Sequence, residues 1–361
     1  MPQALPKPYA LLFYVLLLLL APFAAAQQAG APLPNVRILA TGGTIAGTGA
    51  SSTTTIGYAA AKVGVETLIA AVPELKKVAN VSGEQVFQIA SESMTNDHWL
   101  TLAKRVNALL AQDDVDGIVI THGTDTIEET AYFLNLVVKS RKPVVIVGAM
   151  RPSTAISADG PINLYNAVIV AGSRDAVGKG VLVVLNDQIN GARDVTKSNT
   201  STLDTFRSPE LGLLGYMQDN RAHFYRMSTR RHTLETEFDV SALERLPAVD
   251  VVYSHANVNR VAIDAFVNAG DQGLVYAGVG DGSLAAQVRP ALSEARRKGV
   301  VIVRSSRVGQ GIVARNGEAN DDELDFIVSD TLNPQKARIL LMLALTRTRD
   351  TREIQRMFYT Y

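Results

Sequence analysis

The chain has 361 residues, 47% of them hydrophobic, and is long enough for two domains. It contains no cysteine, which excludes disulfides, zinc–thiolate sites, iron–sulfur clusters and a thiol nucleophile. Its 35 basic and 35 acidic residues balance, so the charge gives no signal for nucleic acid or for an acidic membrane surface.

Residues 1–26 have the features of a secretory signal peptide. Ala10–Leu20 is an unbroken apolar run, and Ala24–Ala26 offer small side chains for cleavage before Gln27. The run is shorter than the ~20 residues that a membrane-spanning helix needs, which favours cleavage over a retained anchor. Removal of residues 1–26 takes away one charged side chain, that of Lys7. We therefore expect a periplasmic or secreted protein without a membrane partner after signal removal.

The first predicted strand, Val36–Ala40, leads directly into a glycine-rich turn, TGGTIAG, at Thr41–Gly47. The glycines allow backbone to approach a small ligand and leave the Thr44 hydroxyl uncrowded. The turn matches neither the dinucleotide pattern GxGxxG nor a phosphate-binding loop. Gly49–Gly57 is rich in Ser and Thr and predicts a mobile loop that ends near Tyr58. Such a loop could act as a lid, although for the loop alone a plain surface loop is the better interpretation.

A second motif joins a buried strand to a helix. Gly117–Ile120 is a short β-branched run, and Thr121–Leu134 reads THGTDTIEETAYFL. Thr126 followed by Glu129 predicts a capping box. Helix N-termini favour anions, and open α/β sheets bind ligands at the carboxyl ends of their strands. Thr and Asp are also ordinary caps, so the motif alone leaves a simple strand-to-helix turn open.

Helical and strand patterns alternate through the first half of the chain, which predicts a mostly parallel α/β sheet. The segments are Val65–Val72, Gln85–Ile89, Asp97–Leu110, Val144–Val147, Pro161–Ala171 and Val181–Leu185. Polar residues follow two of the strands: Ala90–Ser93 after one, and Arg193–Ser198, with Lys197, after the other. A lone lysine is usually a solvated charge, but a further polar loop at a strand end favours a site.

The character of the chain changes from about Arg221 to Arg245, where charges cluster and the apolar period fades. We predict a linker at 226–247 between an N-terminal domain of residues 35–225 and a C-terminal domain of residues 248–361. The predicted fold class is α/β, with a larger N-terminal, mostly parallel sheet flanked by helices and a smaller C-terminal parallel sheet.

The second unit repeats the strand and helix pattern. Its predicted elements are Val251–Tyr253, Ala262–Ala269, Leu274–Ala277, Leu284–Lys298, Val300–Arg304 and Pro334–Thr346. The glycines from Gly278 to Gly282 weakly imitate a nucleotide loop, but the spacing of the third glycine is wrong. The five histidines show neither HxH nor HxxxH spacing, so each is read as a surface or hydrogen-bonded residue and no metal is expected.

Taken together, six motifs resemble those of a bacterial secreted type II L-asparaginase, in the glutaminase-asparaginase branch. They cover nearly all of the chain after the signal, and the first two are individually specific. They are ATGGTIAG (Ala40–Gly47), THGTDTIEETAYFL (Thr121–Leu134), VGAMRPSTAISADGP (Val147–Pro161), RDVTKSNT (Arg193–Thr200), VRSSRVGQG (Val303–Gly311) and LNPQKARILL (Leu332–Leu341).

The resemblance implies an amidohydrolase that converts L-asparagine and water to L-aspartate and ammonia without a cofactor. In the family the first threonine, Thr44, is the primary nucleophile candidate, assisted by Tyr58. The second, Thr124, lies with Asp125 and Lys197 in an arrangement like that of a nucleophile, base and orienter. Thr124 and Asp125 also belong to the substrate-binding set. Attack by water through Thr124 and an acyl-enzyme on Thr44 both stay open.

The resemblance also implies how substrate is bound. Ser91, Glu92 and Asp125 hold its α-carboxylate and α-amine, and Glu318 from a neighbouring subunit completes the amine site. Strict asparaginases commonly have Gln and Asn where this chain has Glu92 and Ser283, so glutamine should be a substrate as well. The implied assembly is a homotetramer, a dimer of dimers with shared active sites.

Two other classes of protein stay open on the residues alone. A secreted amino-acid-binding protein would share the signal peptide and the two-domain α/β build, but it needs no Lys197 beside paired threonines. A catalytically dead relative is disfavoured by the intact set of Thr44, Tyr58, Thr124, Asp125 and Lys197. Ammonia release from asparagine separates the amidohydrolase from both.

Overall fold

The structure is a computed structural model that describes residues 32–361, so the predicted signal peptide lies outside the described residues. The first α/β unit is built on an eight-stranded sheet with spatial order β10-β9-β6-β5-β4-β3-β1-β2. Its strands are β1 (Asn35–Gly42), β2 (Asn80–Ile89), β3 (Gly117–Thr121), β4 (Val144–Val147), β5 (Val181–Leu185), β6 (Gln188–Gly191), β9 (Gly215–Gln218) and β10 (Arg221–Phe224).

The sheet is parallel from β2 to β5 and antiparallel from β5 to β10. The central strands β3, β4 and β5 are buried along their whole length, because helices cover both faces of the parallel half. Those helices are α1 (Val65–Ala70), α2 (Asn96–Leu110), α3 (Ile127–Val137) and α4 (Gly160–Gly172). The parallel half thus brings the carboxyl ends of β1, β2 and β3 to one edge.

Helix α3 begins differently from the sequence prediction, which placed a capping box at Thr126 and Glu129. In the described chain the Thr126 side chain accepts no capping bond, so that prediction is wrong. Its hydroxyl instead donates to the carbonyl of Ser91 at 2.9 Å. The bond ties the start of α3 to the loop after β2. A capping box does occur at α2, between Thr95 and His98.

The second α/β unit has a four-stranded parallel sheet of order β11-β12-β13-β14, which confirms the predicted smaller parallel sheet. Its elements are β11 (Val249–Tyr253), α5 (Val261–Ala269), β12 (Gly273–Gly278), α6 (Arg289–Arg297), β13 (Val301–Ser306), α7 (Asp321–Leu324), β14 (Ile327–Val328), α8 (Pro334–Ala344) and α9 (Thr351–Thr360). Helix α6 begins five residues later than predicted because Pro290 occupies its first turn. Helix α7, strand β14 and helix α9 were not predicted.

One large apolar cluster includes residues of both units, among them Leu134 of α3, Val275 of β12 and Leu341 of α8. Residues 226–247 hold a single 3-10 helix, Thr233–Glu235, between the two sheets. Within residues 32–361 there is no helix with the length and apolar character required to cross a membrane.

Candidate active site

Two glycine-bearing turns meet where β1 and β3 end side by side. Gly43 has φ of 80°, and a Cβ added to it would lie 2.3 Å from the Cα of Gly123. A Cβ on Gly123 would lie 2.5 Å from the Ser91 hydroxyl oxygen. Only glycine fits at either position, because any side chain would displace a neighbouring backbone or Ser91. The contact brings the following residues, Thr44 and Thr124, to the same cavity.

Thr44 begins a short 3-10 helix, and its side chain is buried. Its hydroxyl oxygen lies 2.7 Å from the Tyr58 hydroxyl oxygen, a hydrogen bond in which either group can donate. Tyr58 comes at the end of the Ser- and Thr-rich loop, which is closed at its base by a bridge between Thr48 and Ala59. The loop therefore brings Tyr58 to the cavity together with Thr55 and Ile56, while most of its residues are exposed.

Thr124 is the centre of a second group of polar side chains. The Lys197 amine donates to the Thr124 hydroxyl at 3.0 Å and to the Asp125 carboxylate at 2.6 Å. The Lys197 side chain is 17% exposed and that of Asp125 is 60% exposed. The Lys197 side chain is thus largely buried, whereas that of Asp125 is accessible from the cavity.

Lys197 and its neighbour Thr196 form the two-residue strand β7 (Thr196–Lys197), which pairs antiparallel with β8 (Phe206–Arg207). Ser91 and Glu92 lie in the 3-10 helix that follows β2. Ser91 is buried and Glu92 is exposed. Ser91 and Glu92 thus reach the cavity from the carboxyl end of β2, as predicted. The prediction that the segment of Lys197 directly follows the strand Val181–Leu185 is wrong, because the antiparallel strand β6 comes between them and ends at Gly191, which pairs with Leu182 at the start of β5.

A cavity of about 620 Å³ is lined by all seven of the predicted site residues of the first unit. They are Thr44, Tyr58, Ser91, Glu92, Thr124, Asp125 and Lys197. Sequence reasoning did not single out five further polar or thioether residues of the lining, which are Thr55, Met150, Arg151, Thr200 and Ser201. Met150 and Arg151 belong to the motif VGAMRPSTAISADGP, which begins at the end of β4. Their position after a parallel strand could have indicated that they lie at the site.

The other two predicted site residues, Ser283 and Glu318, are not brought to this cavity. In residues 32–361, neither of them is among those that line it. They contact each other, because the Ser283 hydroxyl donates to a Glu318 carboxylate oxygen at 3.0 Å. Both lie in loops of the second unit, and the pair is exposed.

His122 lies beneath the second turn and is fully buried. Its Nδ1 donates to the carbonyl of Gly123 at 2.8 Å, so Nε2 is the nitrogen that accepts from the Thr130 hydroxyl at 2.9 Å. Trp99 Nε1 donates to the same hydroxyl at 2.9 Å. Burial lowers the pKa of His122 to about 4. A neutral histidine therefore supports the turn and does not face the cavity.

The described residues, 32–361, contain no group of three or more His, Asp or Glu side chains placed to hold a metal ion. The cavity instead offers hydroxyls, one amine, carboxylates and the backbone of two glycine turns. That donor set suits a small zwitterion with a polar side chain. It can bind opposite charges, move a proton between an amine and a hydroxyl, and present a hydroxyl to an electrophile.

The chain is similar to known proteins over both of its α/β units. The family model described as "Asparaginase, N-terminal" matches residues 35–230, and that of the "Glutaminase/Asparaginase C-terminal domain" matches 248–358. The chain is 54% identical to the glutaminase-asparaginase of Pseudomonas fluorescens biotype A, over 96% of each chain. It is 58% identical to L-asparaginase 2 of Bacillus subtilis, over 91% of this chain and 87% of the relative. It is 51% identical to the probable periplasmic L-asparaginase of Haemophilus influenzae, over 91% of this chain and 93% of the relative.

Proposed function

The chain belongs to the asparaginase family of amide hydrolases, and from this premise we propose that it converts L-asparagine and water to L-aspartate and ammonia, and L-glutamine to L-glutamate. One observation carries the proposal. Two buried threonine hydroxyls, Thr44 and Thr124, line one cavity, and each is hydrogen-bonded to its own proton-transfer partner. No cofactor takes part in the proposed reaction.

The chemistry of amide hydrolysis requires such a pairing. An amide carbonyl is a poor electrophile, so its attack needs a positioned nucleophile, donors for the developing oxyanion and an acid for the departing ammonia. In the proposed reaction Thr44 or Thr124 supplies the hydroxyl, and Tyr58 or Lys197 exchanges its proton. Backbone N–H groups of the glycine-bearing turns are the candidates for binding the oxyanion.

Substrate recognition follows from the charges around the cavity. The Ser91 hydroxyl can donate to the α-carboxylate of an amino acid, while Glu92 and Asp125 offer carboxylates to its α-ammonium. These three residues lie on the rim formed by the loops after β2 and β3. A free amino acid with an amide side chain can then direct its carbonyl toward the two threonines.

Ammonia release by the purified protein tests the proposal. We expect release from L-asparagine by the wild type and a loss of about 10²–10⁴-fold in kcat for Thr124→Val, which keeps the shape of the side chain but cannot exchange a proton. An amino-acid-binding protein is the competing function. It would bind asparagine in a calorimetric titration without releasing ammonia, and that result would reject the enzyme.

We further propose that each site is shared between two subunits of a homotetramer, a dimer of dimers in which Glu318 of a neighbouring subunit contacts the substrate amine. The separation of Ser283 and Glu318 from the cavity of their own chain supports the idea. In this proposal the C-terminal domain of one subunit, residues 248–361, contributes Glu318 to the site in the N-terminal domain of its neighbour, residues 35–225. Within each chain, residues 226–247 link the two domains. An ammonium withdrawn from water needs an anionic partner, which Glu318 would provide.

Mixed oligomers test the shared site. We expect Thr44→Ala and Glu318→Ala each to lose activity, the second mainly through weaker substrate binding. Co-refolding them gives some sites in which both residues are intact, so part of the activity should return. Oligomers shown to contain both variants but lacking any regained activity would mean that every site lies within one chain.

Export is the last part of the proposal. The apolar run and the small residues before Gln27 support cleavage and a periplasmic or secreted location. The name of the Haemophilus influenzae relative, a probable periplasmic L-asparaginase, agrees with that location. Fractionation of a producing cell tests it, with activity expected outside the cytoplasm.

A further inference from the structure

The position of the Lys197 amine depends on a segment with little secondary structure of its own. Strand β7 has two residues, and it pairs only with the equally short β8 within residues 32–361. A lysine side chain is long and flexible, so its amine stays beside Thr124 only if the backbone that carries it is fixed. The contacts of residues 193–197 show what fixes it.

Glu128 binds this segment from the first turn of α3, four residues after Thr124. Its side chain is 7% exposed. One carboxylate oxygen accepts from the Thr196 hydroxyl at 3.1 Å and from the Lys197 backbone N–H at 3.4 Å. The other accepts from the Asn333 side-chain amide at 2.9 Å. The motif that supplies Thr124 thus also supplies the group that binds the backbone of Lys197.

Lys336 binds the same segment from α8 in the second unit. Its side chain is 2% exposed, and its amine donates to the carbonyls of Arg193, at 2.7 Å, and Val195. The amine also lies 4.0 Å from a Glu128 carboxylate oxygen. Asn333 caps α8 by accepting from the Lys336 backbone N–H. Burying a charged amine destabilises the fold unless acceptors surround it, so the Lys336 amine holds the carbonyls of Arg193 and Val195 in place.

We infer that Glu128 is a positioning residue for Lys197: by binding Thr196 and the Lys197 backbone, it fixes the distance between the Lys197 amine and the Thr124 hydroxyl. The inference rests on the proposed function, in which that amine exchanges a proton with Thr124. It also gives a role to Asn333 and Lys336, which belong to a motif that does not reach the cavity. Together the three side chains connect the second unit to the position of the catalytic amine.

The test removes one bond and leaves the buried charges in place. Replacing Glu128 would leave the buried Lys336 without its carboxylate and could unfold the chain. Thr196→Val keeps the shape of the side chain but cannot donate, whereas Thr196→Ser keeps the donor and loses a methyl group. Thr346→Val is the matched control, because Thr346 is also half-buried and donates to a local carbonyl, that of Leu343.

We expect Thr196→Val to lower kcat about tenfold while KM stays within about threefold, since small displacements of a reacting group cost rate rather than binding. Thr196→Ser and Thr346→Val should keep kcat within about twofold of the wild type. In a Lys197→Met background, Thr196→Val should have no further effect. A normal kcat for Thr196→Val, an equal loss for Thr196→Ser, or a further tenfold loss in the Lys197→Met background would each overturn the inference.

Crystal structures give a readout that needs no amide substrate. The distance from the Lys197 amine to the Thr124 hydroxyl, 3.0 Å in the wild type, should exceed about 3.5 Å in Thr196→Val and stay unchanged in Thr196→Ser. If this distance is unchanged in Thr196→Val, the inference is wrong, whatever the activity of the variant. Absence of ammonia release by the wild type would instead reject the proposed function, so the two failures are distinct.

Discussion

The buried His122 makes the stability of the fold depend on pH in a way that can be isolated. Burial lowers its pKa from 6.5 to about 4, so between these values the unfolded chain binds a proton that the folded chain excludes. Stability contributed by the neutral imidazole is complete above about pH 6.5 and is lost as the pH falls toward 4. Protonation would place Nε2–H against the Thr130 hydroxyl, whose own proton would then lose Nε2 as its acceptor.

The size of the effect follows from the two pKa values. One pKa unit corresponds to about 1.4 kcal/mol, so the free energy of unfolding should fall by roughly 2 kcal/mol between pH 7.5 and pH 5.0 through this residue alone. Other groups titrate in the same range. Burial raises the pKa of Glu129 to about 7, and a raised carboxyl pKa stabilises the fold as the pH falls from 7 to 4.5. The contribution of His122 must therefore be measured as a difference between variants.

His122→Asn provides that difference. The Asn amide can keep the bond to the Gly123 carbonyl, and the side chain does not titrate. Urea unfolding is measured for both proteins at pH 7.5 and pH 5.0, at one protein concentration because oligomers unfold in a concentration-dependent way. The wild type should be the more stable protein at pH 7.5, and its advantage should shrink by roughly 2 kcal/mol at pH 5.0. Equal advantages at the two pH values would refute a neutral, buried imidazole.

Three further predictions concern the reaction and the export of the protein. Lys197→Met should lower kcat by about 10²–10⁴-fold because the amine that contacts Thr124 is lost; steady-state ammonia release checks this, and a kcat within threefold of the wild type would contradict it. Glu92 and Ser283 predict appreciable glutamine hydrolysis, with discrimination against the extra methylene limited to about 1 to 3 kcal/mol; a glutamine kcat/KM several orders of magnitude below that for asparagine would refute this. Amino-terminal sequencing of the exported protein should begin at Gln27, and a sequence that still contains residue 7 would show that the signal was retained.

The sequence by itself determined the five parallel strands of the first sheet, but it did not indicate β6, β9, β10, β14, α7 or α9. β-Branched runs such as Val144–Val147 and Val181–Leu185 are buried strands of these bounds in the structure, because a strand covered on both faces must be apolar at every position. The role of Lys197 was implied by the resemblance, since its segment follows the antiparallel β6 and not β5. Thr44 and Thr124 were placed together because polar residues directly after neighbouring parallel strands meet at one sheet edge. That inference requires only the strand order and direction.

The local sequence was less informative where a side chain had more than one partner available. Thr126 has the sequence of a cap, yet its hydroxyl donates to the Ser91 carbonyl of a loop 35 residues away. Helix α6 begins at Arg289, with Pro290 in its first turn, rather than at the start of the apolar pattern. Hydrogen-bonding side chains choose among partners that tertiary packing brings near, and periodicity carries no information about those partners.

Only the tertiary structure decided how the site is supported and where it ends. Glu128 reads in the sequence as an ordinary helix residue, but folding places it within reach of Thr196 and Asn333, which lie 68 and 205 residues further along the chain. Ser283 and Glu318 contact each other away from the cavity of their own chain. A pattern of residue types fixes what each segment can become, whereas distances between segments far apart in the chain arise only when the sheets, helices and buried charges pack together.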